Sequence, residues 1–345
     1  MKLSKKIIIA ATLFFTIFLI AALLWLAYEF AIYKNRPAGP ANTTGNIKKT
    51  VVIHNGQKFS STCKMLHESG IILKPEIFKF YARFKGYDKK IKAGEYLLSP
   101  AMTPEKILSI LVGGQVHLYK LTIPEGYNIW QTASAVEKAG LCTKKSFIKS
   151  ATDISMVHSM EINAETLEGY LFPDTYYFPK EACPEKIIST MVSHFNSIFT
   201  SPLREKVKKT GLTLHQVVTL ASIIEKETGA ASERAVISSV FHNRLKKRMR
   251  LESDPTVIYG IKNFNGNITR KDLVRITPYN TYKIKGLPVG PIANPGIEAI
   301  KAALYPADTK FFYFVSKKTG LHHFSTNIKE HNRAVRKYQM RRKKK

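Results

Sequence analysis

Residues Ile7–Tyr28 (IIIAATLFFTIFLIAALLWLAY) carry no charged side chain, and about 20 apolar residues in a row is the length that crosses a bilayer. A cleaved signal peptide carries a shorter apolar region, about 7–15 residues, followed by an A-x-A-like site. Here the run is longer, and Ala38-Gly39-Pro40-Ala41 matches such a site poorly, so a retained single-pass helix over residues 7–28 is expected. Lys2, Lys5 and Lys6 precede it, and Glu29, Lys34 and Arg36 follow. That asymmetry favours a cytoplasmic tail of residues 1–6 and export of everything else.

The charge is lopsided: 54 Lys and Arg stand against 25 Asp and Glu, a formal +29. Such a field attracts anionic polymers and membrane surfaces and says nothing about fold. Nucleic-acid binding is set aside, because the body is exported and no basic motif is interleaved with aromatics. The tail Arg341–Lys345 reads as a solvated charge run. The three cysteines, Cys63, Cys142 and Cys183, make no complete disulfide framework and have no metal-ligand spacing. Adjacent His322 and His323 would point to opposite faces of a strand, so no metal and no cofactor is expected.

Periodicity divides the exported part in two. Residues 29–47, rich in Pro, Gly, Asn and Thr around Asn35–Asn46, read as a linker. Residues 48–116 pattern as a small α+β unit, with strands at Thr50–His54 and Ala93–Leu98 and helices at Phe59–Glu68 and Glu76–Phe84. A further helix is capped by Thr103 and closed by Gly113-Gly114. Two strands flanking two helices resemble a LysM-like fold, a module used to grip N-acetylated glycans. Residues 117–340 begin with a strand at Tyr119–Ile123. Helices follow near Ile129–Ala139, Lys145–Ala151, Pro184–Ser197, Leu203–Lys209, Leu212–Thr228 and Ser232–Lys247. Leu251–Pro295, dense in Pro, Gly, Asn and Tyr, reads as a long irregular segment of the kind that carries function. A hairpin of Phe311–Val315 with His322–Ser325 and a basic helix from Ile328 complete an α+β chain.

The helix ending in Glu225-Lys226-Glu227 draws the chemistry. Leu214, Val217, Val218, Leu220, Ala221, Ile223 and Ile224 make an apolar stripe, with the two glutamates on its opposite edges, about 200° apart on the wheel. Both sit in the last turn, at the negative end of the helix dipole and beside apolar surface, and both effects raise a carboxyl pKa. A glutamic acid that keeps its proton near neutrality can protonate a glycosidic oxygen. The wheel does not choose between the two, and surface residues paired with Lys226 or Lys247 are the plain alternative.

The surrounding text is more specific. LEGYLFPDTYYFP (Leu167–Pro179), EKETG (Glu225–Gly229), VFHNRL (Val240–Leu245), LESDPTVIYG (Leu251–Gly260), PYNTY (Pro278–Tyr282) and GLPVGPIANPG (Gly286–Gly296) occur in that order. Together they resemble the endolytic murein transglycosylases, the YceG-like or MltG family, over nearly the whole chain. The resemblance implies a larger catalytic domain over residues 117–340, mostly helical with short β elements. It also selects Glu227, the second glutamate of E-K-E-T, as the catalytic acid. Glu252 stands where the family commonly has Gln, and Val289 where it has Pro, which leaves substrate preference open. The implied reaction is lytic cleavage of the bond from N-acetylmuramic acid to N-acetylglucosamine in peptidoglycan strands. The sugar's own C6 hydroxyl closes a 1,6-anhydro ring, so no second carboxylate is required. The expected setting is the plasma (inner) membrane with the catalytic domain outside the cytoplasm, acting on nascent strands beside peptidoglycan synthases.

Asn243, Tyr259, Tyr279, Asn280 and Tyr282 are candidate sugar contacts, since amides bind hydroxyls and aromatic faces stack on pyranose rings. Asn also serves turns and Tyr half-buried surface. Asp174 and Asp254 read as caps or turns. A hydrolytic, muramidase-type enzyme would recruit a second carboxylate from Glu225, Glu233, Glu252 or Asp254. A non-catalytic wall-binding scaffold would need none.

Overall fold

A computed structural model describes residues 2–40, 47–227, 229–262 and 264–340. The middle of the expected linker, Thr228 of the E-K-E-T string and the basic tail lie outside these residues. The architecture is α+β, and the chain divides after Leu118 into two units.

The first unit opens with a helix at Lys2–Asn35. Within Ile9–Asn35 an 18-residue stretch has mean hydropathy 2.5 and no buried residue. Phe14 is 73% and Leu24 67% exposed, so these side chains have no protein partner, as a lipid-facing surface requires. The helix runs seven residues beyond Tyr28 into the segment expected to be linker. There Phe30 meets Phe80, Tyr81 and Phe84 edge-on at 5.8, 5.2 and 5.5 Å. Beyond it the Ala38 amide donates to Met102 O at 2.9 Å, with Ala38 itself buried. This stretch is therefore docked rather than a free spacer, because an aromatic cluster and a backbone ladder outweigh its Pro/Gly composition.

Strands Lys49–Ile53 and Gly94–Leu98 pair antiparallel, from Lys49 opposite Leu98 to Ile53 opposite Gly94. Between them lie helices Phe59–Glu68 and Pro75–Phe84, giving strand–helix–helix–strand. A third helix, Pro104–Gly113, starts where Thr103 Oγ1 accepts the Lys106 amide and stops at left-handed Gly114. Leu66, Phe78, Tyr81, Tyr96 and Leu108 form a core from which water is excluded.

In the second unit Leu118–Thr122 pairs with Thr175–Pro179, and Tyr313–Ser316 pairs antiparallel with His322–Ser325. The expected helices are present with ends moved by a residue or two. Among the elements that were not legible are one strand and several short helices. Thr175–Pro179 is a five-residue strand whose partner lies far back in the chain. Ile154–Ser159, Asp254–Tyr259 and Ile297–Leu304 are short helices. Periodicity over six to eight residues cannot separate a helical turn from a loop. The irregular Leu251–Pro295 segment thus contains the helix Asp254–Tyr259, with Pro255 in its first turn, and the capped helix Arg270–Val274.

The helix Leu214–Glu227 is the axis of this unit. Every residue from Val217 to Ile224 is buried, so the expected one-sided stripe is in fact a core helix enclosed on all sides. Thr219 and Ser222 can be buried because their hydroxyls donate back to His215 O (2.8 Å) and Thr219 O (2.7 Å).

Candidate active site

Three side chains along one side of the axial helix fasten the loop Val289–Gly296. His215 Nε2 lies 3.1 Å from Val289 O, Ser222 Oγ accepts the Ile292 amide at 3.0 Å, and Glu225 Oε2 accepts the Gly296 amide at 3.0 Å. Glu225 also faces the Arg234 guanidinium at 3.7 Å. Burial raises its pKa, and the Gly296 hydrogen bond and Arg234 pull it back. A Cβ at Gly296 would collide with the Glu125 carboxylate, so that half-exposed side chain would have to move aside. Glu225 is thereby occupied with holding the loop.

Glu227, about 200° around the same helix, faces elsewhere. It is partly buried, and its Oε1 accepts a 2.5 Å hydrogen bond from Ser253 Oγ. Removal from water pushes its pKa up to about 7; Asp254 adds to the rise, while the Ser253 hydroxyl and Arg244 oppose it. Ser253 is set by a buried Ser/Thr knot. Its amide donates to Thr281 Oγ1 at 3.0 Å, and Thr256 Oγ1 lies 2.8 Å from Thr281 Oγ1 and donates to Ser253 O at 2.6 Å. Arg244, 7% exposed, donates to the carbonyls of Arg250, Leu251 and Phe312 and to Glu252 Oε2 at 3.0 Å. It locks the strand of chain that delivers Ser253.

The remaining expected residues separate by environment. Asn280 is 1% exposed, and its Nδ2 is spent on the carbonyls of Asp272, Leu273 and Arg275. Asn243 donates to Thr309 O and Phe311 O at 2.9 and 3.0 Å. Both Nδ2 groups are therefore occupied with fastening backbone; Asn280 is closed off from solvent, whereas Asn243 stays partly exposed. Tyr282 donates to Asp254 Oδ1 at 2.7 Å beside Glu227. Glu252 is held by Arg244, and Glu233 accepts the His322 amide and lies 2.8 Å from its Nδ1. His323 turns instead to the Tyr338 ring. Asp174 lies 3.3 Å from His194 Nδ1 and accepts the Thr175 amide.

Tyr259 and Tyr279 wall a cleft of about 1290 Å³ together with Trp130. Ring centroids are 5.5 Å apart for Trp130–Tyr259 and 4.8 Å for Tyr259–Tyr279. Glu227 does not line this cleft. The helix Asp254–Tyr259 connects the two places: its first residue follows Ser253 at the acid, and its last lines the cleft.

Two residues of the quoted strings, Glu168 and Asn294, had no expected role, yet both are central. Glu168 is 1% exposed and accepts from the Ile129 amide (3.1 Å) and Tyr259 Oη (2.9 Å). Burial drives its pKa up to about 8 against those donors. Asn294 Oδ1 accepts the Gly169 and Leu171 amides at 2.9 and 3.0 Å, and its Nδ2 donates to Tyr127 O at 2.8 Å. A polar residue flanked by apolar ones, as in LEGYLF and PIANPG, was the available signal. Neither spacing nor composition supplied its partners.

A carboxyl poised near neutrality at the end of a buried helix is a group that can serve general acid/base chemistry, and the aromatic cleft lies apart from it. The chain belongs to the YceG-like family, whose model matches residues 51–337. It is 34% identical over 314 residues to an endolytic murein transglycosylase of Bacillus subtilis (strain 168), covering 86% of each chain. An endolytic murein transglycosylase of Streptococcus pneumoniae (serotype 2 strain D39) is 31% identical over 325 residues, 84% of this chain and 58% of that one. The crystal structure of a YceG-like protein from Listeria monocytogenes superposes with a TM-score of 0.59 at 36% identity, covering 84% of this chain and all of that one.

Proposed function

We propose that this chain is an endolytic murein transglycosylase in which Glu227 is the acid/base catalyst. The observation that carries the assignment is the Glu227 carboxyl, raised toward neutrality by burial yet still partly open. Glu227 donates its proton to the glycosidic oxygen as the bond from muramic C1 breaks. The carboxylate so formed takes the proton of the muramic C6 hydroxyl as that oxygen closes on C1. The proton is returned, no water is consumed, and a 1,6-anhydro end remains. Digestion of purified glycan strands, with ends identified by mass, tests the reading. Anhydro ends, lighter by one water than hydrolytic ends, support it; reducing ends that have gained water overturn the lytic step.

The Ser253 hydroxyl favours the ionised form of Glu227. Ser253→Ala should therefore raise the Glu227 pKa further and move the alkaline limb of the rate profile to higher pH, by up to about one unit. An unmoved limb would show that another group governs it. Glu225→Gln keeps an acceptor for Gly296 and loses the Arg234 ion pair. Its cleavage rate should stay within about threefold of the parent while stability drops by about 1–2 kcal/mol. Paired digestion and thermal melts check both, and loss of cleavage there would transfer the catalytic role away from Glu227.

The Lys2–Asn35 helix supports a single-pass anchor with the N-terminus inside and the catalytic unit outside the cytoplasm. The strand–helix–helix–strand order supports a LysM-like, glycan-gripping role for the first unit. Peptidoglycan synthases are the neighbours such an enzyme would meet, and co-purification of the intact chain checks this.

A further inference from the structure

The cleft walled by Trp130, Tyr259 and Tyr279 is built from parts the acid does not need. Trp130 leaves 45% of its surface exposed at one end of the aromatic row. Tyr259, at the centre of the aromatic row, is held by the buried Glu168 through its hydroxyl, so its ring cannot turn freely. Glu168 also accepts the Ile129 amide, the residue next to Trp130. One buried carboxyl thus fixes both sides of the aromatic wall, and preformed stacking surfaces are how proteins hold saccharide rings.

The rim is cationic. Lys138, Lys144 and Lys262 line the cleft, and none of the described lining residues is acidic. Among the described residues, none of the three lysines has an ion-pair partner. A neutral sugar needs no such rim; a sugar with appended carboxylates does. In strands that keep their peptides those carboxylates belong to the stem, whose amide bond masks the lactyl carboxyl of the muramic residue itself.

We propose that this cleft is a remote strand-binding subsite that takes a glycan unit together with the carboxylates of its peptide stem, stacking the sugar on Trp130, Tyr259 and Tyr279 and pairing the stem with Lys138, Lys144 and Lys262. The subsite rests on the murein reading above, and it makes the enzyme prefer stem-bearing over denuded strands. The helix Asp254–Tyr259 ties occupancy of the cleft to the register of the strand at Glu227.

The chain has two tryptophans, Trp25 in the apolar N-terminal helix and Trp130, so Trp25→Phe leaves one reporter at the cleft. The full-length W25F chain in detergent micelles is titrated with uncrosslinked stem-bearing strands and with the same strands stripped by an amidase and capped as methylamides at the lactyl carboxylates so freed, following Trp130 emission. Stem-bearing strands should bind about tenfold more tightly, and the ratio should fall as salt is raised. Adding Lys138→Gln, Lys144→Gln and Lys262→Gln should bring the two affinities together. Equal affinities in the parent, a ratio indifferent to salt, or an undiminished ratio in a folded triple variant overturns the proposal. Salt dependence on the parent decides the matter should the triple variant fail to fold. Anhydro ends are scored on both strand types with the same preparation. Their absence would count against the lyase reading alone, since the binding ratio is read independently of turnover.

Discussion

Glu227→Gln is expected to abolish strand scission, lowering kcat by at least about 10²–10⁴-fold, the usual contribution of a positioned acid/base. The amide has the shape of the acid and can still accept the Ser253 hydroxyl, so the fold should survive. Stability should even rise, in a pH-dependent way. The folded-state pKa of Glu227, about 7, lies above the usual carboxyl value of 4.5. Below pH 4.5 the group is protonated in both states and costs nothing. Between 4.5 and 7 the unfolded chain releases its proton while the folded one retains it, so wild-type stability falls as pH rises through that window. The melting advantage of the variant should therefore be absent at pH 4, grow through pH 5–7 and level off above. Wild-type kcat should fall about tenfold per pH unit above 7, as the acid form is depleted. Residual cleavage near wild-type rate in a folded E227Q protein would end the assignment.

The largest stability effect is expected at Asn294→Ala. Asn294 is fully buried, and its side chain satisfies the amides of Gly169 and Leu171 and the carbonyl of Tyr127. Alanine strands the Gly169 and Leu171 amides in a site too enclosed for easy hydration, while the Tyr127 carbonyl keeps the backbone amide of residue 294 at 2.8 Å. At about 1–3 kcal/mol for each of the two stranded amides, partly offset by relaxation, a loss of about 2–4 kcal/mol follows. For a unit of this size that is a fall in Tm of about 5–15 °C. Gly169 cannot readily relax toward new partners. Its φ is +89°, and a Cβ there would meet Pro291 at 2.6 Å and Val218 at 2.8 Å. The same change loosens Glu168, to which Asn294 Nδ2 also donates at 3.4 Å, and with it the Tyr259 anchor. Calorimetry on the intact chain, with glycan affinity measured in parallel, checks both halves. A shift of only a degree or two would mean that water or a neighbour replaces the amide.

How far the site could be read from the chain differs residue by residue. Glu227 was reached through the strings around it, whereas the helix wheel left Glu225 equally eligible. The two part company only when Gly296 and Arg234 claim Glu225 and Ser253 meets Glu227. Tyr259 and Tyr279 were legible as aromatics in a functional segment, and they do share a cleft. Asn243 and Asn280 looked the same on paper and turned out to hold backbone. At Glu168 a carboxylate between a leucine and a glycine says nothing about how deeply it is buried.

What the sequence settled alone depends on neighbours within a few residues: an uncharged apolar run long enough to cross a bilayer, helix periodicity, caps such as Thr103, and contiguous strings that carry a family. What the tertiary structure decided depends on partners far along the chain. The hydrogen bonds that define the site join residues 26 apart for Glu227 and Ser253, 71 for Glu225 and Gly296, and 125 for Asn294 and Gly169. A carboxyl's proton affinity is set by what surrounds it in space, and desolvation, the largest influence on Glu227, comes into being only when the chain closes around the end of its helix.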